Sequence, residues 1–95
     1  MYALEMTDRR WWMYVARCSD NTLYTGITTD TSRRINEHNR TKKGARYTRS
    51  RRPVKLIYEI ELDSQSSALR SEIRFKKLSR SEKIQVIEGE VKWKI

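Results

Sequence analysis

The stretch Trp12-Met13-Tyr14-Val15-Ala16-Arg17-Cys18, then Ser19-Asp20-Asn21, then Thr22-Leu23-Tyr24-Thr25-Gly26-Ile27-Thr28, decides the fold. Its two ends are rich in β-branched and aromatic residues, which suit a pleated surface. The middle is a cluster of turn formers. Two strands joined this tightly pair as a hairpin. Gly26, near the end of the second strand, marks either a bulge or a place where another backbone or a ligand comes close.

On the C-terminal side, Thr29 or Asp30 caps a helix reaching about Arg40. Thr41 to Arg52 is a basic loop that holds Gly44 and Tyr47. Pro53 opens a third strand, Val54 to Leu62, whose apolar residues alternate at 54, 56, 58, 60 and 62 with Ile57 as an extra. Asp63 or Ser64 caps a helix over about Ser66 to Leu78. Ser79-Arg80-Ser81-Glu82 is a capping box for a last short helix that runs to about Glu88, and Gly89 ends it. The order β-β-α-β-α-α predicts an α+β domain, a small sheet with helices packed on it. Residues 1–10 read as a loose arm, 11–88 as the domain, and 89–95 as a tail that packs back or frays.

Length and composition bound the function. A chain of 95 residues holds one domain. Three Trp, five Tyr and one Phe supply core material, which argues against disorder despite 35% charged residues. The longest apolar run, Trp11 to Ala16, is far short of the roughly 20 residues of a membrane span. Glu5, Asp8, Arg9 and Arg10 at the start argue against a secretory leader. The lone Cys18 makes no internal disulfide and no Cys-rich zinc site; a reducing, cytoplasmic setting fits it.

Charge gives the first positive indication. Lys plus Arg is 21 and Asp plus Glu is 12, a net charge of +9. A domain this basic is suited to a polyanion, most commonly nucleic acid. The charge is clustered: between Arg33 and Lys55 the only acid is Glu37, and Arg70 to Lys83 is a second basic stretch. Neither stretch has the strongly apolar opposite face of a membrane-surface helix.

Few residues are placed for chemistry. Tyr14 and Tyr24 occupy matched places on the hairpin, where core aromatics are also common. Arg34 and His38, four apart, share a helix face, as many solvated surface pairs do. Leu69, Glu72, Ile73 and Lys76 follow helical spacing, so Glu72 lies beside an apolar stripe and needs a cation, either a basic side chain or a metal. Cys18, at a strand end, reads as a structural thiol. Gly26, Gly44 and Gly89 are too far apart for a phosphate loop. Glu59 and Glu61 on the third strand are the one carboxylate pair facing the same side.

Taken in order, these residues resemble a known family. Trp12-Met13-Tyr14, nine residues, then Tyr24-Thr25-Gly26 is similar to the paired motif of the GIY-YIG endonuclease superfamily. Arg34 stands eight positions after Gly26, His38 one helical turn later, and Ala68-Leu69-Arg70-Ser71-Glu72 resembles the family's glutamate-bearing helix. Tyr24 through Asp30, Ala45-Arg46-Tyr47-Thr48 through Pro53-Val54-Lys55-Leu56, and Lys76-Lys77-Leu78-Ser79 with Lys83 resemble its small stand-alone bacterial branch, akin to the YhbQ-like proteins. The likeness spans about residues 11–88. The first tripeptide lacks the usual Gly and Ile. The Asn that many family nucleases use late in the domain has no counterpart, since Asn21, Asn36 and Asn39 all precede it.

The resemblance implies a three-stranded antiparallel sheet flanked by helices. It implies a metal-dependent endonuclease that hydrolyses DNA phosphodiesters, selective for structure or single strands rather than sequence, with DNA repair or recombination as its setting. DNA is favoured over RNA, and neither a membrane nor an organic cofactor is expected. By the same resemblance Glu72 holds one Mg²⁺ or Mn²⁺, Arg34 holds the phosphate, Tyr14 is the general base, Tyr24 orients water or phosphate, and His38 bonds a tyrosine or the phosphate and relays a proton. Lys42, Lys43, Arg46, Tyr47, Arg49, Arg51 and Arg52 grip the strand. The competing reading is a non-catalytic nucleic-acid-binding module that retains the nuclease fold.

Overall fold

The computed structural model describes residues 10–93. The arm expected over 1–10 lies outside them apart from Arg10. Three strands, β1 (Trp11–Arg17), β2 (Leu23–Thr28) and β3 (Lys55–Leu62), form one antiparallel sheet in the order β2-β1-β3. Helices α1 (Thr31–Arg40), α2 (Arg46–Arg49), α3 (Gln65–Lys76) and α4 (Arg80–Ile87) complete the fold. The expected α+β order holds, with one addition: the basic loop contains the short helix α2.

β1 is central, and Met13, Tyr14, Val15 and Ala16 are all buried because both faces of the sheet are covered. Met13 and Val15 pack with Leu62, Ala68, Phe75 and Val86, which places α3 and α4 on one face. Ala16 packs with Cys18 and Val54, against Tyr24 and Ile35, on the side of α1. Tyr14, cross-strand from Gly26, faces the same way as Ala16, so a buried phenol sits on the α1 side of the sheet.

The unpaired apolar residue of β3 has a structural cause. Val15 pairs with Tyr58 but Ala16 with Leu56, so Ile57 is the extra residue of a bulge. The bulge moves the alternation to the other face: Tyr58, Ile60 and Leu62 join the α3 side, while Val54 joins the α1 side. The β1–β2 ladder passes through Gly26 without interruption, so there is no bulge, and what comes close to that glycine is a side chain, Tyr14, rather than a backbone or a ligand.

Local signals set the helix ends. The Asp30 carboxylate accepts the Arg33 N–H at 3.0 Å and caps α1; such a cap is worth about 1 kcal/mol. Ser64, not Asp63, caps α3, and the Ser79–Glu82 capping box opens α4. Asn39 fastens α1 to the start of β3 by donating to the Val54 carbonyl at 3.0 Å and accepting its N–H at 2.7 Å. The tail returns to the domain: Trp93 meets Phe75 edge-on with centroids 5.4 Å apart, and its indole N–H donates to Ser71 at 2.7 Å.

One expectation about α3 is corrected. Its core face is Ala68, Ser71 and Phe75, whereas Leu69 and Ile73 are 42% and 54% exposed. Small residues let the helix approach the sheet, and the Leu69–Ile73 stripe points outward. Glu72 is half-buried because it flanks Ala68 and Phe75.

Candidate active site

Tyr14, Tyr24 and His38 come together from three elements. Their ring centroids lie 6.3 Å apart for the two tyrosines, 5.9 Å for Tyr14 and His38, and 5.2 Å for Tyr24 and His38. Tyr14 pairs with Gly26 and Tyr24 with Ala16, so the tyrosines are diagonal neighbours on one face. Gly26 makes room for this. A Cβ there would lie 2.7 Å from the Tyr14 hydroxyl and 3.0 to 3.1 Å from its ring. The missing side chain is what lets the phenol lie across β2.

The buried His38 is held at both ring nitrogens. Nε2 lies 2.6 Å from the Tyr14 hydroxyl and Nδ1 lies 2.9 Å from Thr48 Oγ1. Two contacts compete at Nδ1: the Thr48 hydroxyl donates to the Ala45 carbonyl at 2.9 Å, so its oxygen accepts from Nδ1–H, whereas the Ala45 N–H points at Nδ1 from 3.3 Å and favours the other tautomer. The shorter contacts to Thr48 and Tyr14 are both served when Nδ1 carries the proton and Nε2 accepts from Tyr14. In the opposite tautomer the buried Tyr14 proton would have no acceptor among the described residues. Proton order thus runs Tyr14, His38, Thr48, Ala45 carbonyl. Thr48 is fully buried and completes this chain, but sequence reading gave it no role, although it lies within a stretch that carried the resemblance. Gly44 brings it there: a Cβ at Gly44 would come within 2.8 Å of the Glu37 carbonyl and of the His38 Cα.

The electrostatics match a neutral pair at rest. Burial raises the Tyr14 pKa well above that of an ordinary phenol, Tyr24 and Glu72 push the same way, and nearby Arg34 opposes them only in part. Burial, followed by the charge of Arg34, pulls His38 down to about 4. At neutral pH the phenol keeps its proton and the imidazole is uncharged.

Arg34 stands beside this pair. One terminal nitrogen donates to Glu37 and to the Lys43 carbonyl, each at 2.8 Å. The guanidinium is also close enough to the Tyr14 hydroxyl to act as its donor, and the N–H groups that remain are available to an anion. Glu37, which sequence reading noted only as the lone acid of a basic run, is therefore the residue that aims Arg34. The Tyr24 hydroxyl likewise has no hydrogen-bond partner among the described residues.

Glu72 is close enough to act on the charge of Tyr14, and its carboxylate meets the Lys76 ammonium at 2.8 Å. Among the described residues no three His, Cys, Asp or Glu side chains converge on a metal position. One half-buried carboxylate that already holds a cation suits a hard, mostly hydrated divalent ion completed by phosphate oxygens, as Mg²⁺ prefers, and not a closed protein cage. Glu59 and Glu61 are exposed on β3, and Glu61 pairs with Arg10 at 3.5 Å.

The basic loop divides into two groups. Lys42, Lys43 and Arg46 are exposed, with no side-chain hydrogen bond or ion pair among the described residues. Arg49 donates to the Lys42 carbonyl at 3.1 Å. Arg51 pairs with Asp20 in the hairpin turn at 3.0 Å and lies 3.9 Å over the Tyr47 ring, which also stacks near Tyr24. Arg52 donates to the carbonyls of His38 and Thr41 at the end of α1. Arg51 and Arg52 thus carry structural bonds in addition to their charge.

Comparison with known proteins gives the family and the fold. The model of the family described as GIY-YIG catalytic domain matches residues 10–85. A UPF0213 protein of Desulfotalea psychrophila is 49% identical over 87 residues, covering 90% of this chain and 79% of that protein. Another from Streptococcus agalactiae is 54% identical, covering 80% and 85%. The solution NMR structure of the UPF0213 protein BH0048 from Bacillus halodurans is 40% identical, covers 84% of each chain and superposes with a TM-score of 0.55. That of EF2693 from E. faecalis, at the same identity and coverage, gives 0.59.

Proposed function

The chain belongs to the GIY-YIG family, an endonuclease superfamily, and from that premise we propose that it hydrolyses DNA phosphodiester bonds with one divalent cation, selecting for strand structure rather than sequence. The observation that carries this reading is the buried Tyr14–His38–Thr48 chain with Arg34 and Glu72 beside it. A core tyrosine needs no such proton path; a phenol that must exchange its proton does.

Each group has work that suits its surroundings. Arg34 takes a non-bridging phosphate oxygen on the donors that Glu37, the Lys43 carbonyl and Tyr14 leave available. Burial is the larger cause of the low His38 pKa and the Arg34 charge the second; the anion offsets that second part, so the imidazole becomes a better proton acceptor as substrate binds. Tyr14 then takes the proton of the attacking water while passing its own to Nε2, and Thr48 holds the resulting imidazolium by accepting from Nδ1–H. Tyr24 offers its hydroxyl to the water or the phosphate. Glu72 is the residue that would hold Mg²⁺ or Mn²⁺. When bound, that ion stabilises charge on the phosphorus oxygens and the leaving group.

The test is a cleavage panel of single-stranded, nicked, branched and duplex DNA, with RNA alongside, in the presence and absence of Mg²⁺. Glu72→Ala should abolish cutting while binding survives or tightens slightly, because a negative charge is lost. Equal cutting by the wild type in excess chelator would overturn the metal requirement. Binding without cleavage on every substrate would select the non-catalytic module, in which the Lys76 ammonium is the permanent partner of Glu72.

A further inference from the structure

A second cationic feature adjoins the site. A cleft of about 280 Å³ is lined by Leu23, Tyr24, Thr25, Tyr47, Lys76 and Lys83. Tyr24 belongs both to this cleft and to the Tyr14–His38 cluster, so whatever fills the cleft lies next to the reacting groups. Lys83, on α4, has no carboxylate partner among the described residues. Lys76, on α3, does have one, and it is Glu72.

Two ammonium groups lining one cleft repel each other, and an anion between them would offset that repulsion. The Lys76–Glu72 pair is also easily broken. It is an i,i+4 pair whose carboxylate is 16% exposed but whose lysine is 54% exposed, so water reaches the ammonium and the pair holds it only weakly. A divalent cation at Glu72 competes directly with the ammonium. The displaced lysine has a long, flexible stem and already borders the cleft.

We propose that this cleft seats a second backbone phosphate of the substrate strand, beside the scissile one, and that Lys76 is released to it when Glu72 takes up a divalent cation. The proposal rests on the nuclease reading for the metal at Glu72 and goes beyond it in assigning Lys83 and Lys76 to a flanking phosphate. Metal loading and strand binding are then coupled through one side chain: the ammonium that guards the carboxylate becomes a ligand of the strand.

Binding measurements test this without turnover. The probes are Mn²⁺, followed by electron paramagnetic resonance, and a short fluorescein-labelled oligothymidylate, followed by anisotropy with Ca²⁺ or with chelator. Lys76→Met should tighten Mn²⁺ several-fold, and Glu72→Gln should remove the site. With Ca²⁺, Lys76→Met should weaken oligonucleotide binding roughly three- to tenfold, the scale of one charge-assisted contact, and reduce the salt slope by about 0.7. With chelator the same variant should bind within about twofold of wild type, because Lys76 is then held by Glu72. Lys83→Met should weaken binding in both conditions. Equal losses for Lys76→Met with and without Ca²⁺ would overturn the exchange, and an unchanged Lys83→Met would overturn the seat. Mn²⁺ binding indifferent to Glu72→Gln would remove the metal from the nuclease reading and the exchange with it. If the binding pattern holds and no substrate is cut, the seat stands and the nuclease reading falls.

Discussion

At the scale of single residues, Thr48 separates a proton path from a buried aromatic cluster. Removing its hydroxyl takes away the acceptor for Nδ1–H and leaves only the Ala45 N–H, a donor 3.3 Å from Nδ1, which shifts the balance toward the tautomer protonated at Nε2. Thr48→Val should therefore show the reversed tautomer in the ¹⁵N spectrum of His38, with the fold intact and cleavage slowed about tenfold or more; Thr48→Ser should restore both. A wild-type ring already protonated at Nε2 would refute the proposed order. Gly26 invites a second test. Its Ala variant pushes directly on the Tyr14 hydroxyl, which His38 blocks from behind. We expect cleavage to fall roughly 100-fold, as for loss of a positioned base, and to fall much further than the melting temperature does. Both residues lie in stretches whose likeness to the family was legible. Their contacts were not, because Gly26 meets Tyr14 across a ladder and Thr48 meets His38 across a turn.

At the scale of elements, the segment between α1 and β3 is part grip and part strut. Lys42→Ala, Lys43→Ala and Arg46→Ala together should flatten the salt dependence of strand binding by up to about 2 in log–log slope, at roughly 0.7 per phosphate contact, with little change in stability. Arg52→Ala should do the reverse, lowering stability by about 1–3 kcal/mol through the lost charge-assisted bonds to the end of α1 while barely changing the slope. Urea unfolding and anisotropy titrations measured side by side check the division. From sequence this segment reads as one uniformly basic loop, since charge alone does not tell an arginine facing solvent from one capping a helix. α3 carries the same lesson. The periodicity of Leu69 and Ile73 predicts a core face, and the packed face is instead the Ala68–Ser71–Phe75 row, chosen by how closely the helix approaches the sheet.

At the scale of the molecule, burial of a neutral histidine links the site to stability. The unfolded chain binds the His38 proton with an ordinary pKa near 6.5, and the folded chain only near 4. The unfolded state therefore holds more protons between these values, so stability is complete above pH 6.5 and falls as pH drops toward 4, by up to about 3 kcal/mol. Urea midpoints at pH 7 and pH 4.5 should differ clearly in the wild type and less in His38→Gln; identical pH dependence in the two would place the acid sensitivity elsewhere. The sequence by itself determined the class of fold, the element order, the capping box of α4 and the set of residues that resembles a nuclease site, because these follow from local preference and spacing along the chain. Only the tertiary structure decided that the Ile57 bulge divides β3 between two faces, that Trp93 returns to Ser71, that Thr48 and Glu37 set the aims of His38 and Arg34, and that Lys76 occupies Glu72. Each of these depends on two segments distant in sequence meeting through space, and neither segment shows that meeting in its own pattern.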